Sequence, residues 1–405
     1  MISQTFDRLK LAEPILRSII EKGYQKPTPI QLQAIPQIID GKDIIACAQT
    51  GTGKSAAFCI PILQAIYNRK IDRGHIGIEA LILTPTRELA NQINKSIETY
   101  GEYTQINHTA IFGGIPRVVQ IDNLSHQIDI LVATPGRLLD LAEKGHLDFS
   151  NLSHLVLDEA DNMLNLGFID EVKRVIELLP KERQTALFSA TIPEEIAQLA
   201  SSILKEPTKI EITPEIVTTK NVAQSLYYVQ EELKPNLLTQ LIKSEVVESA
   251  FIFTKTRKEA DEISLWLSDH NFNTDSIHSQ KSQHEREQAI TRFKNRDISL
   301  LVATDVAARG IDVQAVSHVF NIGLPQESEN YVHRIGRTGR ANHTGKAITI
   351  CSPNEITKLK EIEKLIGNKI PLIKEHIYSN PNLTKMIIKA EEEIKSKKNN
   401  RRRRG

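Results

Sequence analysis

Short apolar runs that end in small or polar residues recur along the first half of the chain, at 44–48, 80–84, 130–134, 154–157 and 185–188. Each has the length and content of a strand buried on both faces. Between them lie stretches with helical periodicity, such as 87–100, where Leu89, Ile93 and Ile97 fall on one face. Strand and helix signals alternate, which predicts a parallel sheet flanked by helices. After Leu204 the texture changes: Pro207, Thr208, Thr213, Pro214, Thr218 and Thr219 surround one short strand at 209–212, and no helix follows. The alternation restarts with strands expected at 226–229, 250–254, 275–278, 300–304, 319–322 and 347–351. A last helix carries Ile356, Leu359, Ile362 and Ile366 on one stripe and stops at Gly367, a residue suited to a C-cap. The expected fold class is α/β with two domains, 1–205 and 222–370, joined by a linker at 206–221 and followed by a polar, basic tail, 371–405, disordered at its end.

Composition narrows the class. A chain of 405 residues is too long for one compact core, and 40% hydrophobic with 25% charged residues excludes disorder for most of it. No window approaches the 18 or more apolar residues of a membrane span, and residues 1–10 lack the apolar centre of a secretory signal, so a cytoplasmic protein with no membrane partner is expected. Cys47, Cys59 and Cys351 are odd in number and widely spaced, which argues against a disulfide framework or a zinc site. The formal charge of +1 hides an asymmetry, because Lys395, Lys397, Lys398 and Arg401, Arg402, Arg403 and Arg404 gather seven positive charges at the end of an otherwise acidic chain. Binding of nucleic acid by such a body needs a local basic stripe, helped by that tail.

Two motifs carry chemistry. Ala48-Gln49-Thr50-Gly51-Thr52-Gly53-Lys54-Ser55 follows an expected strand and opens an expected helix, the context of a phosphate-binding P-loop. Backbone amides there cradle phosphates, Lys54 reaches the β and γ phosphates, and the Ser55 hydroxyl ligates Mg²⁺. Ala48 stands where the pattern expects glycine. The second motif is Asp158-Glu159 at the end of the apolar run Leu155-Val156-Leu157. Asp158 is placed to hold Mg²⁺ through water, and Glu159 to orient and deprotonate the attacking water.

The text Asp158-Glu159-Ala160-Asp161 and its neighbours resemble the DEAD-box RNA helicases over about residues 1–370. The resemblance implies two tandem RecA-like domains, with ATP and Mg²⁺ as cofactors and RNA as partner. Phe6, Gly23, Tyr24, Pro27, Thr28 and Gln31 are similar to the adenine-reading Q motif, with Gln31 pairing adenine and an aromatic packed on the ring. Pro85, Thr86 and Arg87, then Gly113 and Gly114, then Thr134, Pro135, Gly136 and Arg137 resemble the RNA-contacting loops of the first domain, loops rich in phosphate donors and poor in base-reading groups. Ser189-Ala190-Thr191 resembles the motif that couples hydrolysis to unwinding, through a hydrogen bond to Asp161.

In the second domain, Thr254, Arg257, Thr304 and Gly310 are implied to meet RNA, and Asp312 the ATP ribose. His333 belongs with the coupling residues, while Arg337 and Arg340 have the spacing to share a helix face and reach the γ-phosphate as fingers. Lys281-Ser282-Gln283 resembles the bacterial RhlE-type version of its motif. The expected function is RNA-stimulated ATP hydrolysis coupled to closure of two domains and to local, non-processive unwinding by a monomer. Ribosomal precursors or the RNA-decay machinery are the expected surroundings. The rival readings are an ATP-gated RNA clamp with little turnover and a DNA translocase.

Overall fold

The structure is a computed structural model that describes residues 5–48, 52–212, 222–308, 313, 316–339, 344–379, 385 and 387. The chain divides into two compact units, Met1–Pro214 and Glu215–Gly405. No described helix is long and apolar enough to cross a membrane.

The first unit runs α1 (Glu13–Glu21), α2 (Pro29–Ile39), β1 (Ile44–Cys47), α3 (Lys54–Arg73), β2 (Ala80–Leu83), α4 (Arg87–Tyr100), β3 (His108–Ile111), α5 (Arg117–Leu124), β4 (Ile130–Ala133), α6 (Pro135–Ala142), β5 (His154–Leu157), α7 (Ala160–Asn165), α8 (Ile169–Glu177), β6 (Gln184–Ser189), α9 (Glu194–Ile203) and β7 (Thr208–Glu211). Its seven strands are parallel in the order β3-β4-β2-β5-β6-β1-β7. Successive strand residues face opposite sides, and both sides are covered. Ile82, Val132, Val156 and Phe188 enter one apolar core, whereas Leu83, Leu131, Leu157 and Leu187 enter the other. This explains why the strands read as unbroken apolar runs. The short strand expected at 209–212 forms β7, paired with β1 at the sheet edge; residues 213–221 lie outside the described residues.

The second unit runs β8 (Val222–Tyr228), α10 (Lys234–Ser244), β9 (Ala250–Thr254), α11 (Arg257–Asp269), β10 (Thr274–Ile277), α12 (Gln283–Lys294), β11 (Leu300–Thr304), α13 (Asp305–Ala308), β12 (His318–Ile322), α14 (Ser328–Ile335), β13 (Gly345–Cys351) and α15 (Ile356–Ile366). Its parallel order is β10-β11-β9-β12-β13-β8. Gly367 closes α15 at φ 73°, a left-handed cap that glycine adopts without steric cost. The first residues of the expected tail are not free chain: Pro371 and Ile373 exchange backbone hydrogen bonds with Leu226 at 2.8 and 2.9 Å, covering the edge of β8. The seven basic residues from Lys395 onward lie outside the described residues.

Candidate active site and nucleic-acid interface

In parallel sheets the loops at the carboxyl ends of strands carry the ligand sites. Strand order divides that edge of the first sheet. The loops after the neighbours β5, β6 and β1 hold the acid pair, the Ser189-Ala190-Thr191 motif and the P-loop. The loops after β2, β4 and β3 hold the three sets of expected RNA contacts.

Ala48 continues β1 by donating its backbone N–H to Ser189 O at 2.9 Å. Gln49, Thr50 and Gly51 lie outside the described residues; Thr52 and Gly53 lead into α3, which Lys54 and Ser55 begin. Gly53 has φ 92°, and a Cβ there would stand 2.5 Å from the Gln31 amide nitrogen. Lys54 is 6% exposed, and its Nζ has no hydrogen-bond partner among the described residues. An ammonium buried without a partner is costly, and a phosphate at the α3 N-terminus is the group that relieves it. The residues present therefore fit a nucleotide triphosphate.

Gln31 is buried and joins the P-loop to its own helix. Its Oε1 accepts from Thr28 N at 2.9 Å, and its Nε2 donates to Gly53 O at 3.1 Å. One lone pair and one N–H remain for a further partner. Tyr24 is 46% exposed, with its ring 5.8 Å from that of Tyr100. Phe6 packs instead into the apolar core, so Tyr24 is the exposed aromatic of the two.

Asp158 and Glu159 are both buried at the end of β5. Burial pushes the Asp158 carboxyl up to about 7; the Lys54 ammonium opposes that rise and Glu159 adds to it. A carboxyl so placed favours a divalent cation. Mg²⁺ takes one or two carboxylates together with substrate phosphates, and Asp158 with Ser55 is a donor set of that kind. Glu159 adopts φ 52°, a strained backbone for a non-glycine residue. Its Oε2 accepts from Asn162 Nδ2 at 3.1 Å, a contact that no motif announced. Asp161 bridges to the next strand: its backbone N–H donates to Ser189 Oγ at 3.0 Å, and its Oδ2 accepts from both the N–H and the hydroxyl of Thr191 at 3.1 Å.

Along the other half of the edge, Pro85 and Thr86 are buried, and the Thr86 hydroxyl accepts from Leu89 N at 3.3 Å to cap α4. The Arg87 guanidinium lies against Gly113 and Gly114, where any Cβ on Gly114 would collide with it. Thr134 precedes Pro135 at the start of α6, Gly136 is exposed, and Arg137 Nη1 donates to Ile115 O at 3.0 Å.

In the second unit the Thr254 side chain is buried, its hydroxyl donating to Thr256 O at 3.1 Å. Arg257 is exposed at the start of α11, and Thr304 ends β11. Gly310, Asp312 and Arg340 lie outside the described residues. His333 is half-buried on α14. That helix ends at Ile335, so Arg337 lies in the turn beyond it and not on the helix face expected from its spacing. The reason is a tertiary contact. The Thr338 hydroxyl donates to Val316 O, and Val316 N donates to Arg337 O at 3.0 Å, drawing the chain out of the helix. Sequence reasoning also missed Arg334, which is 1% exposed. Its guanidinium grips Asp305 at 2.6 and 2.9 Å and lies over the Phe253 ring. In sequence it is one more arginine in a basic run, and its partner is 29 residues away.

Comparison with known proteins is consistent along the chain. The DEAD/DEAH box helicase family profile matches residues 28–199, and the helicase conserved C-terminal domain profile matches 233–342. The DEAD-box ATP-dependent RNA helicase RhpA of Helicobacter pylori is 41% identical over 368 residues, covering 91% of this chain and 74% of its own. CshA of Geobacillus kaustophilus is 39% identical over 370 residues, covering 91% and 78%. Among solved structures, S. cerevisiae Dbp5 bound to RNA and ADP BeF3 is 30% identical with a TM-score of 0.82, covering 96% of this chain and 99% of that one. The DEAD-box helicase Mss116 bound to ssRNA and UDP-BeF is 29% identical with a TM-score of 0.84, covering 95% and 82%.

Proposed function

The chain belongs to the DEAD-box family and is an ATP-dependent RNA helicase, and from that premise we propose that its hydrolytic site is divided between two domains, 1–205 and 222–370. The first domain binds ATP, with Tyr24 and Gln31 at adenine, the P-loop residues 48–55 at the phosphates, and Ser55 and Asp158 holding Mg²⁺, the latter through water. Mg²⁺, when bound, neutralises charge on the phosphates. Glu159, steadied by Asn162, takes a proton from the attacking water as its oxygen adds to the γ-phosphorus and ADP leaves.

The second domain supplies Arg337 and Arg340 to the γ-phosphate and Asp312 to the ribose when the domains close on RNA. Pro85, Thr86, Arg87, Gly113, Gly114, Thr134, Pro135 and Gly136, with Thr254, Arg257, Thr304 and Gly310, make up the RNA surface, and Arg137 belongs to the same loops as the residue that shapes them. Contacts of this kind read backbone shape more than sequence. Closure bends one strand out of duplex geometry, which gives local, non-processive unwinding, and Asp161, Ser189, Thr191 and His333 couple it to hydrolysis. The Lys281-Ser282-Gln283 text supports an RhlE-type subgroup. A cytoplasmic monomer acting on ribosomal precursors or with the decay machinery completes the reading.

The observation that supports this most is the buried Lys54 Nζ, without a hydrogen-bond partner among the described residues, at a helix N-terminus on the same sheet edge as Asp158 and Glu159. The test is steady-state ATP hydrolysis with RNA and with DNA of equal sequence, beside a single-turnover measurement. RNA-selective stimulation with repeated turnover is expected. Equal stimulation by DNA would favour a DNA translocase, and one fast turnover followed by arrest would favour a clamp.

A further inference from the structure

α5 packs Ile121 and Leu124 against the apolar core but buries a polar side chain more deeply than either. Its Val118 and Val119 are 76% and 51% exposed, while Gln120, at 2% exposed, is its one buried residue. A buried polar side chain calls for an explanation where an exposed valine does not. The Gln120 amide is engaged at both ends: Nε2 donates to Phe112 O at 2.9 Å, and Oε1 accepts from Arg137 Nη1 at 2.7 Å. The same Nη1 donates to Ile115 O at 3.0 Å.

Phe112 and Ile115 flank the pair Gly113-Gly114, and Arg137 stands in the first turn of α6. One amide and one guanidinium therefore fasten both ends of the glycine loop to the start of α6. The Arg87 guanidinium occupies the space where side chains on the two glycines would fall. Gly114, at φ 87°, needs a residue free to adopt the left-handed region.

We propose that Gln120 is a positioning residue for RNA binding: it holds Arg137 against the Gly113-Gly114 loop, so that the glycine amides and the α6 N-terminus are preset as a phosphate cradle, and Arg137 spends its charge within the protein. This rests on the reading of these loops as RNA contacts. Rigid presentation of backbone donors raises affinity by removing ordering costs at binding. Gln120→Leu keeps the volume but leaves Phe112 O and Arg137 without their partner. Gln120→Glu keeps the acceptor for Arg137 and loses the donor for Phe112 O.

The test measures RNA-stimulated ATP hydrolysis against RNA, ATP and salt concentration, with the thermal midpoint in parallel. Gln120→Leu is expected to raise half-saturating RNA about tenfold, the loss of one charge-assisted hydrogen bond. Half-saturating ATP should change less than about twofold, and the logarithmic salt slope should be unaltered, since no phosphate-neutralising charge is removed. Gln120→Glu, which retains Arg137, should recover part of the RNA affinity. Arg137→Gln should weaken RNA binding at an unchanged slope; a slope shallower by about 0.7 would make Arg137 a direct phosphate contact and overturn its assignment. Wild-type RNA affinity in Gln120→Leu would overturn the proposal, as would equal losses for RNA and ATP with a collapsed thermal midpoint. A wild-type enzyme indifferent to RNA would overturn the RNA reading itself and this inference with it.

Discussion

Glu355 sits where three strand ends of the second unit meet, and its replacement by glutamine should destabilise that unit selectively. It is 8% exposed and receives only donors. Its Oε1 accepts from Leu324 N at 2.8 Å and from Lys255 Nζ at 2.5 Å. Its Oε2 accepts from Lys234 Nζ at 2.8 Å and from Ser352 N at 2.9 Å. An amide must turn its NH₂ toward one of these donor sets, so Glu355→Gln cannot keep both. Lys234, 2% exposed at its side chain, would retain only Glu231 among its two carboxylate partners.

Burial alone would raise the Glu355 carboxyl, but Lys234 and Lys255 with the Ser352 N–H bring it down from 4.5 to about 2. That difference corresponds to roughly 3 kcal/mol of folding stability, consistent with the ~3–5 kcal/mol cost of breaking a buried pair. Because the folded value is depressed, this stability is present above about pH 4.5 and is lost as pH falls toward 2.

Trp266, the single tryptophan, lies in this unit with its Nε1 bonded to Thr239 Oγ1 at 3.0 Å, so its fluorescence reports this unit. With a urea slope of about 2 kcal/mol per molar, Glu355→Gln should lower the midpoint by about 1.5 M at neutral pH. The gap to wild type should close on acidification. A midpoint shift under about 0.3 M, or a gap that persists at pH 2, would show that the Glu355 carboxylate does not hold this unit together.

Three further outcomes are expected. Gln31→Ala removes the amide between Thr28 and Gly53, so the preference for ATP over GTP should fall about tenfold or more; unchanged nucleotide competition would count against adenine reading. Asp161→Asn replaces one acceptor oxygen beneath Thr191 with a donor, and strand separation should drop more steeply than ATP hydrolysis; equal losses in the two assays would remove Asp161 from coupling. Deleting 395–405 takes away seven basic residues, which should weaken RNA binding and flatten its salt dependence; an unaltered slope would make the tail a bystander.

Much of the architecture was legible because both sheets are covered on both faces. Runs such as Leu81-Ile82-Leu83 and Phe251-Ile252-Phe253 bury every residue, and their shortness, bounded by small or polar residues, marks them as strands. β3 escaped notice because His108-Thr109-Ala110-Ile111 is an edge strand with alternate half-buried positions. β8 begins at Val222, ahead of the expected 226, because its register with β13 holds over seven residues, polar Gln224 and Ser225 included. At the site, glycine, lysine and acid text announced the groups proposed to meet ligand. It did not announce their supports. Asn162, Gln120, Arg334 and Glu355 act through partners set by the fold, and only spatial neighbours distinguish them from ordinary polar residues.

The central claim, that Lys54 and Glu159 form part of a site completed from the second domain, is tested most directly by Arg337→Ala. The measurement is the RNA-saturated hydrolysis rate beside the equilibrium affinity for ATP in the absence of RNA. A rate lower by roughly 10³ or more is expected, as for loss of a finger in related phosphoryl transfers, with ATP affinity within about threefold of wild type. A rate within about threefold of wild type would show that the first domain is catalytically complete and would contradict the account.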